Sequence, residues 1–155
     1  MRGFVNTTFL ALAITAIAAF GADNSLGTWK LNADQSKSTT SPLPVKSLTT
    51  TREASDGGVK VTTTGEQASG TPINSSYTAK YDGGEYPVTG APWDIIIIKQ
   101  VDANNFTTET KKTDGKYHST GRTVISKDGK TMTTTSKGTN ADGEAFTITL
   151  IYEKQ

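Results

Sequence analysis

Phe146, Ile148, Leu150 and Tyr152 alternate with Thr147 and Thr149, so one side of this stretch is apolar and the other hydroxylated. Successive side chains of a strand point to opposite faces, and the pattern therefore predicts a β-strand with one buried face. Leu26-Gly27-Thr28-Trp29-Lys30-Leu31 reads as a first strand with Trp29 turned inward. Between them the chain is rich in Thr, Val, Ile and Tyr, whose branched or flat side chains fit a pleated surface. The segments that read as strands are 26–31, 46–54, 59–67, 73–81, 85–89, 93–101, 106–112, 116–126, 130–138 and 144–153. Asp56-Gly57, Asp82-Gly83, Asn104-Asn105, Asp114-Gly115, Asp128-Gly129 and Asp142-Gly143 punctuate them, because Gly, Asn and Asp accept the backbone of tight hairpins.

Short antiparallel strands with no helical layer must dispose of their edges, and closing the first strand onto the last does so. The expected fold is all-β: a single antiparallel up-and-down barrel of about 8–10 strands, with a sandwich of two sheets as the alternative. The closing contact is expected between the residues around Trp29 and those around Ile148. Asn32 to Val45, with Pro42 and Pro44, reads as an extended loop across one end, with room for a helical turn near Asp34 to Lys37. Ile95-Ile96-Ile97-Ile98 shows no alternation, so this strand wants cover on both faces or marks an apolar patch.

The start of the chain changes the picture of where the domain begins. Arg2 is followed by an apolar run from Phe9 to Phe20, the right length for a signal-peptide core and too short for the ~20 residues of a membrane span. Ala19-Phe20-Gly21 places small residues where a signal peptidase reads them. Residues 1–21 are therefore expected to be a signal peptide and 22–155 one β-barrel domain, soluble in a periplasm or outside the cell. Removing Arg2 leaves 15 basic against 15 acidic residues, and no polybasic run, so nucleic acid is not an expected partner. The chain has no Cys, so a packed core rather than disulfides must hold it. A monomer without cofactor is expected.

Catalytic chemistry finds little footing. The one His, His118, has Ser119 beside it on the opposite face of the same strand, and no nucleophile elbow appears. One His and no Cys cannot build a transition-metal site without several converging carboxylates, and no phosphate-binding Gly-rich motif occurs. Binding is the better reading. Thr49-Thr50-Thr51, Thr62-Thr63-Thr64 and Thr133-Thr134-Thr135 must each turn part of their hydroxyls inward. Those hydroxyls either line a ligand space or bond one another in a narrow core. Arg52 and Arg122 are the arginines left after cleavage, and one of them inside the barrel would pair with a ligand carboxylate. Arg122 is preferred because Gly121 precedes it and permits close approach. Trp29 is expected as a core plug, and Trp93, after Ala91-Pro92, as a rim contact or a cap over the isoleucines.

Gly27-Thr28-Trp29 resembles the G-x-W motif of lipocalins, in which the Trp plugs one end of the barrel and an Arg stacks on it. The longer string through Leu31, with the close Ile151-Tyr152-Glu153-Lys154, is similar to intracellular fatty-acid-binding proteins. Those are ten-stranded barrels that hold a fatty-acid carboxylate with an Arg and a Tyr two residues apart on the last strand. The resemblance puts Tyr152 at the Tyr position, whereas the Arg position holds Leu150, and no helical lid has a counterpart. The chain also resembles a set of small secreted bacterial proteins of unassigned function. The shared strings are Gly27–Asn32, Tyr81–Gly90, Ser126–Thr131 and Tyr152–Gln155.

The expected function is non-covalent binding of a small apolar or amphipathic, lipid-like ligand, without catalysis. The candidate residues are Trp29, Arg52, Trp93, Arg122 and Tyr152. The alternative is an interaction or inhibitor barrel that docks through Ile95–Ile98, Trp93 and Tyr86. A hydrolase is the third reading.

Overall fold

The computed structural model describes residues 22–40 and 42–155; the expected signal peptide lies outside the described residues. The chain runs through eleven strands: β1 Gly27–Leu31, β2 Lys37–Ser38, β3 Val45–Ser55, β4 Gly58–Gln67, β5 Pro72–Lys80, β6 Tyr86–Thr89, β7 Ile95–Asp102, β8 Asn105–Lys111, β9 His118–Ile125, β10 Thr131–Thr139 and β11 Ala145–Lys154. Each of the ten longer strands is hydrogen-bonded antiparallel to its neighbours, and β1 pairs with both β3 and β11, so the sheet closes on itself. The result is a closed ten-stranded barrel with β2 as an additional short strand. No helix among the described residues is long and apolar enough to cross a membrane.

Closure occurs at a different register from the expected one. Trp29 lies opposite Lys154, Lys30 opposite Glu153 and Leu31 opposite Tyr152. Ile148 instead faces Ser38 of β2, which takes over the same edge of β11 where β1 has ended. Between them the chain turns at Ala33–Gln35, and the backbone N–H of Asn32 still donates to the Ile151 carbonyl at 2.8 Å. The segment after Asn32 therefore holds a turn and a strand rather than a free loop. Two residues are too few to show a period, and their value lies in covering polar backbone on β11 that β1 is too short to reach.

The ladder fixes which residues face in. Trp29 and Leu31 share the inner face with Leu48, Thr50, Arg52, Val59, Val61, Tyr77, Ala79, Ile96, Ile98, Phe106, Ile125, Met132 and Tyr152. Two apolar clusters result, one around Trp29, Phe106 and Tyr152 and the other around Val59, Val61 and Ile98. The isoleucine run splits by parity: Ile96 and Ile98 are buried inside, whereas Ile95 and Ile97 lie half-buried on the outer wall. Each Thr triplet likewise sends one residue inward, and Thr50 is bonded to Thr63 across the strands at 3.0 Å.

Candidate functional site

Burial inside the barrel changes along the strands. On β4, Val59 and Val61 are buried, whereas Thr63 and Gly65 further along are half-buried. On β5, Ala79 is buried and Tyr77, Ser75 and Ile73 are half-buried. On β10 the same step runs from Met132 to Thr134 and Ser136, and on β11 from Tyr152 to Leu150, Ile148 and Phe146. All of these residues face inward, so their accessible surface belongs to an internal space. The geometry implies a cup, closed at the Trp29 end and more accessible toward the other along β4, β5, β10 and β11, while Ile96, Thr110 and Ser119 at that same end of β7–β9 are buried.

The segment before β1 makes the floor. Ser25 is fully buried, and its carbonyl accepts the Trp29 indole Nε1–H at 2.8 Å. Asp23 accepts from the Ser25 backbone N–H at 2.8 Å and from the hydroxyls of Ser25 and Tyr81. Outside this knot, the Asn24 N–H donates to the Ala103 carbonyl at 3.0 Å. Polar partners close to hand let residues 23–25 lie across the barrel end without stranding their backbone groups.

Arg52 stands above that floor and is 8% exposed, the one charged side chain among the buried residues. Its Nε donates to Ser25 Oγ at 3.0 Å, and its guanidinium lies 5.9 Å from the Phe106 ring centroid. Tyr77 and Tyr152 are near enough for the Arg52 charge to act on both hydroxyls. None of the ion pairs of the described residues includes Arg52, and residues 1–21 and 41 contain no Asp or Glu. The acid in its own network, Asp23, is one hydroxyl removed. A buried guanidinium without a direct carboxylate partner is costly, by several kcal/mol before hydrogen bonds offset it.

Burial raises the pKa of all three tyrosines around the floor. For Tyr77 the Arg52 charge partly offsets burial; for Tyr152 the neighbouring Tyr77 adds to it and Arg52 opposes; for Tyr81 the hydrogen bond to Asp23 adds to it. A folded-state pKa above the ordinary value near 10 means that the unfolded chain gives up the proton first. The stabilisation is complete below about pH 10 and is lost as pH rises beyond it. An absorbance titration at alkaline pH should show Tyr77, Tyr81 and Tyr152 ionising together with unfolding. Ionisation of these three before any loss of β-sheet signal would contradict their placement.

The five residues singled out from sequence thus separate. Trp29, Arg52 and Tyr152 meet at the closed end. Trp93 sits at the opposite rim, where it stacks on Tyr117 at 5.1 Å, with Tyr117 in turn 6.0 Å from Phe146. It packs on the cluster that holds Ile96 and Ile98, and its Nε1–H is enclosed without a hydrogen-bond partner among the described residues.

Arg122 corrects the expectation. It points outward, is exposed, and donates to Asn105 Oδ1 at 2.7 Å. With Thr120, Thr133, Thr135, Lys137 and Thr147 it borders a shallow groove of ≈ 680 Å³ on the outer wall. The inward arginine is Arg52. The stacking on Trp29 is also different, because Lys154 Nζ, 5.2 Å from the ring centroid, covers it from the rim. His118 is on the outside and meets Glu109 at 3.0 Å, while Ser119 faces in and is bonded to Thr110 at 2.7 Å.

Tyr77, Tyr81, Asp23 and Ser25 were not singled out. Tyr77 had a signal, since it shares a period-two face with Ile73 and Ala79. No protein-family model and no curated protein matches the chain.

Proposed function

We propose that this chain is a non-catalytic carrier barrel whose cup takes a small amphipathic carboxylic acid, with the acid group seated on Arg52. The carrying observation is the buried Arg52 guanidinium, inside a closed wall and without a carboxylate of its own. Tyr77 and Tyr152 add hydroxyl donors beside it, and charge-assisted hydrogen bonds to a carboxylate are the strong kind. Further up the wall Leu150, Ile148, Ile73 and Phe146 offer apolar surface for the rest of the ligand. The expected signal peptide, if cleaved, makes this an exported carrier.

Docking to another protein through the outer wall has less to support it. The large apolar side chains left exposed among the described residues are Val101 and Val124, on different strands, and Ile95 and Ile97 are half-covered. Calorimetric titration with dodecanoate and with dodecanol tests the proposal. Saturable one-to-one binding of the acid, tighter than that of the alcohol, is the expected result. Absence of saturable binding for both compounds would remove the proposal.

A further inference from the structure

The inner wall carries a second polar feature, away from Arg52, that a plain acyl chain would leave unused. Ile98, Thr108, Gly121, Ser136 and Ile148 lie side by side across β7, β8, β9, β10 and β11 on the inner face. Gly121 interrupts this row. A Cβ placed on it would stand 2.7 Å from Ser136 Oγ and 2.9 Å from Thr108 Oγ1. The two hydroxyls therefore lean from either side over the bare glycine backbone. Among the other inward Ser and Thr of these strands, Thr110 is bonded to Ser119 and Thr123 to Thr134. Thr108 and Ser136 have no hydrogen-bond partner among the described residues, and both are half-buried in the internal space. The place a Cβ would need is already taken by these two hydroxyl oxygens and, at 3.0 Å, by the Thr135 carbonyl, so the cradle for a ligand oxygen is the pair of convergent hydroxyls above Gly121.

Its position relative to Arg52 follows from the ladder. Phe106, whose ring lies under the guanidinium, pairs with Thr123; Thr108 pairs with Gly121, two residues nearer the open end. That step is about 7 Å along the strands. A ligand whose carboxylate sits on Arg52 thus passes the cradle partway along its length.

We infer that the preferred ligand is a carboxylic acid with a second oxygen function, a hydroxyl or keto group, partway along its chain, and that Thr108, Gly121 and Ser136 recognise that oxygen. This rests on the acid-binding reading of Arg52 and narrows it. A hydroxyl accepts from one side chain and donates to the other, whereas a methylene at the same place leaves both unpaired in a confined space. Sites built to bond a ligand hydroxyl discriminate against the analogue without it for this reason.

The experiment compares dodecanoate with dodecanoates hydroxylated at mid-chain and at the α-carbon, by calorimetry on the wild type and two variants. In the first variant, Thr108→Val with Ser136→Ala removes both hydroxyls at nearly constant volume. In the second, Gly121→Ala introduces a methyl group that must push the two hydroxyls apart. Wild type should bind a mid-chain hydroxy acid about tenfold more tightly than dodecanoate, with no gain for the α-hydroxy acid. The double variant should keep its affinity for dodecanoate and lose the preference, and Gly121→Ala should lose the preference too. Equal affinity for all three acids in wild type overturns the cradle and leaves the Arg52 proposal standing. A preference that survives in both variants also overturns it. No saturable binding of any of the acids overturns both proposals together.

Discussion

Arg52→Met is expected to weaken binding of dodecanoate by about 2–3 kcal/mol, roughly 30- to 150-fold in Kd, while binding of dodecanol stays nearly unchanged. Methionine keeps most of the side chain's length and apolar area and removes the five donors and the charge. The uncharged alcohol is the internal control, since it reads the apolar wall without reading the guanidinium. Folding stability should hold or rise, because a buried charge whose partners are hydroxyls and a ring is expensive to keep dry. The opposing loss is the Nε bond to Ser25 Oγ, about 1 kcal/mol. Melting temperature and calorimetric titration on the same sample separate the two effects. Equal loss of acid and alcohol binding would mean that Arg52 shapes the floor and does not hold the ligand.

Trp29→Ala is expected to cost about 3–5 kcal/mol of stability, the usual range for emptying a large aromatic site. Trp29 is 0% exposed, joins the cluster of Leu31, Leu48, Phe106, Met132 and Tyr152, and ties the floor segment down through Ser25. Set against a total of ~5–15 kcal/mol for a domain, this is a large fraction. Urea unfolding followed by β-sheet circular dichroism gives the value directly. Trp29→Phe should recover most of it and leave only the deficit of the lost indole hydrogen bond, about 1–2 kcal/mol. If Phe costs as much as Ala, the indole bond to Ser25, and not the filled volume, sets the stability of the closed end. Trp93→Ala should cost less than Trp29→Ala, since that ring is only half-buried and its N–H has no partner to lose.

Much of the wall was readable from residue order and much of the floor was not. Alternation in Phe146 to Tyr152 and the Asp-Gly turns are local signals, and the hairpins they mark stand in the structure within about two residues. The inward arginine is harder because it depends on parity. On β9 the adjacent Val124 and Ile125 offer an apolar residue to each face, so Arg122 has no local reason to point either way. On β3 the only large apolar residue between Thr49 and Glu53 or just before is Leu48, and Arg52 shares its face. That shared face is the signal the sequence holds, whereas the glycine before Arg122 points the other way. Gly121 does permit close approach, but of two hydroxyls on the inside rather than of the arginine next to it. The floor was illegible for another reason. Asp23 and Ser25 gain meaning only from Arg52 and Tyr81, which reach them across the barrel. No spacing along the chain encodes such a contact.

The seam between β1 and β11 also governs when the molecule can exist during synthesis. Apart from β2, which also pairs with β11, every other pairing joins strands close in the chain that leave the ribosome within seconds of each other, whereas β1 must wait for the last strand to be made. Until then β1 and β10 are borders, Trp29 lacks Tyr152 and Met132, and the nascent sheet is an open ribbon. Pairing across nearly the whole chain places this protein among the slow folders, with the exposed rims of the ribbon as its period of greatest risk.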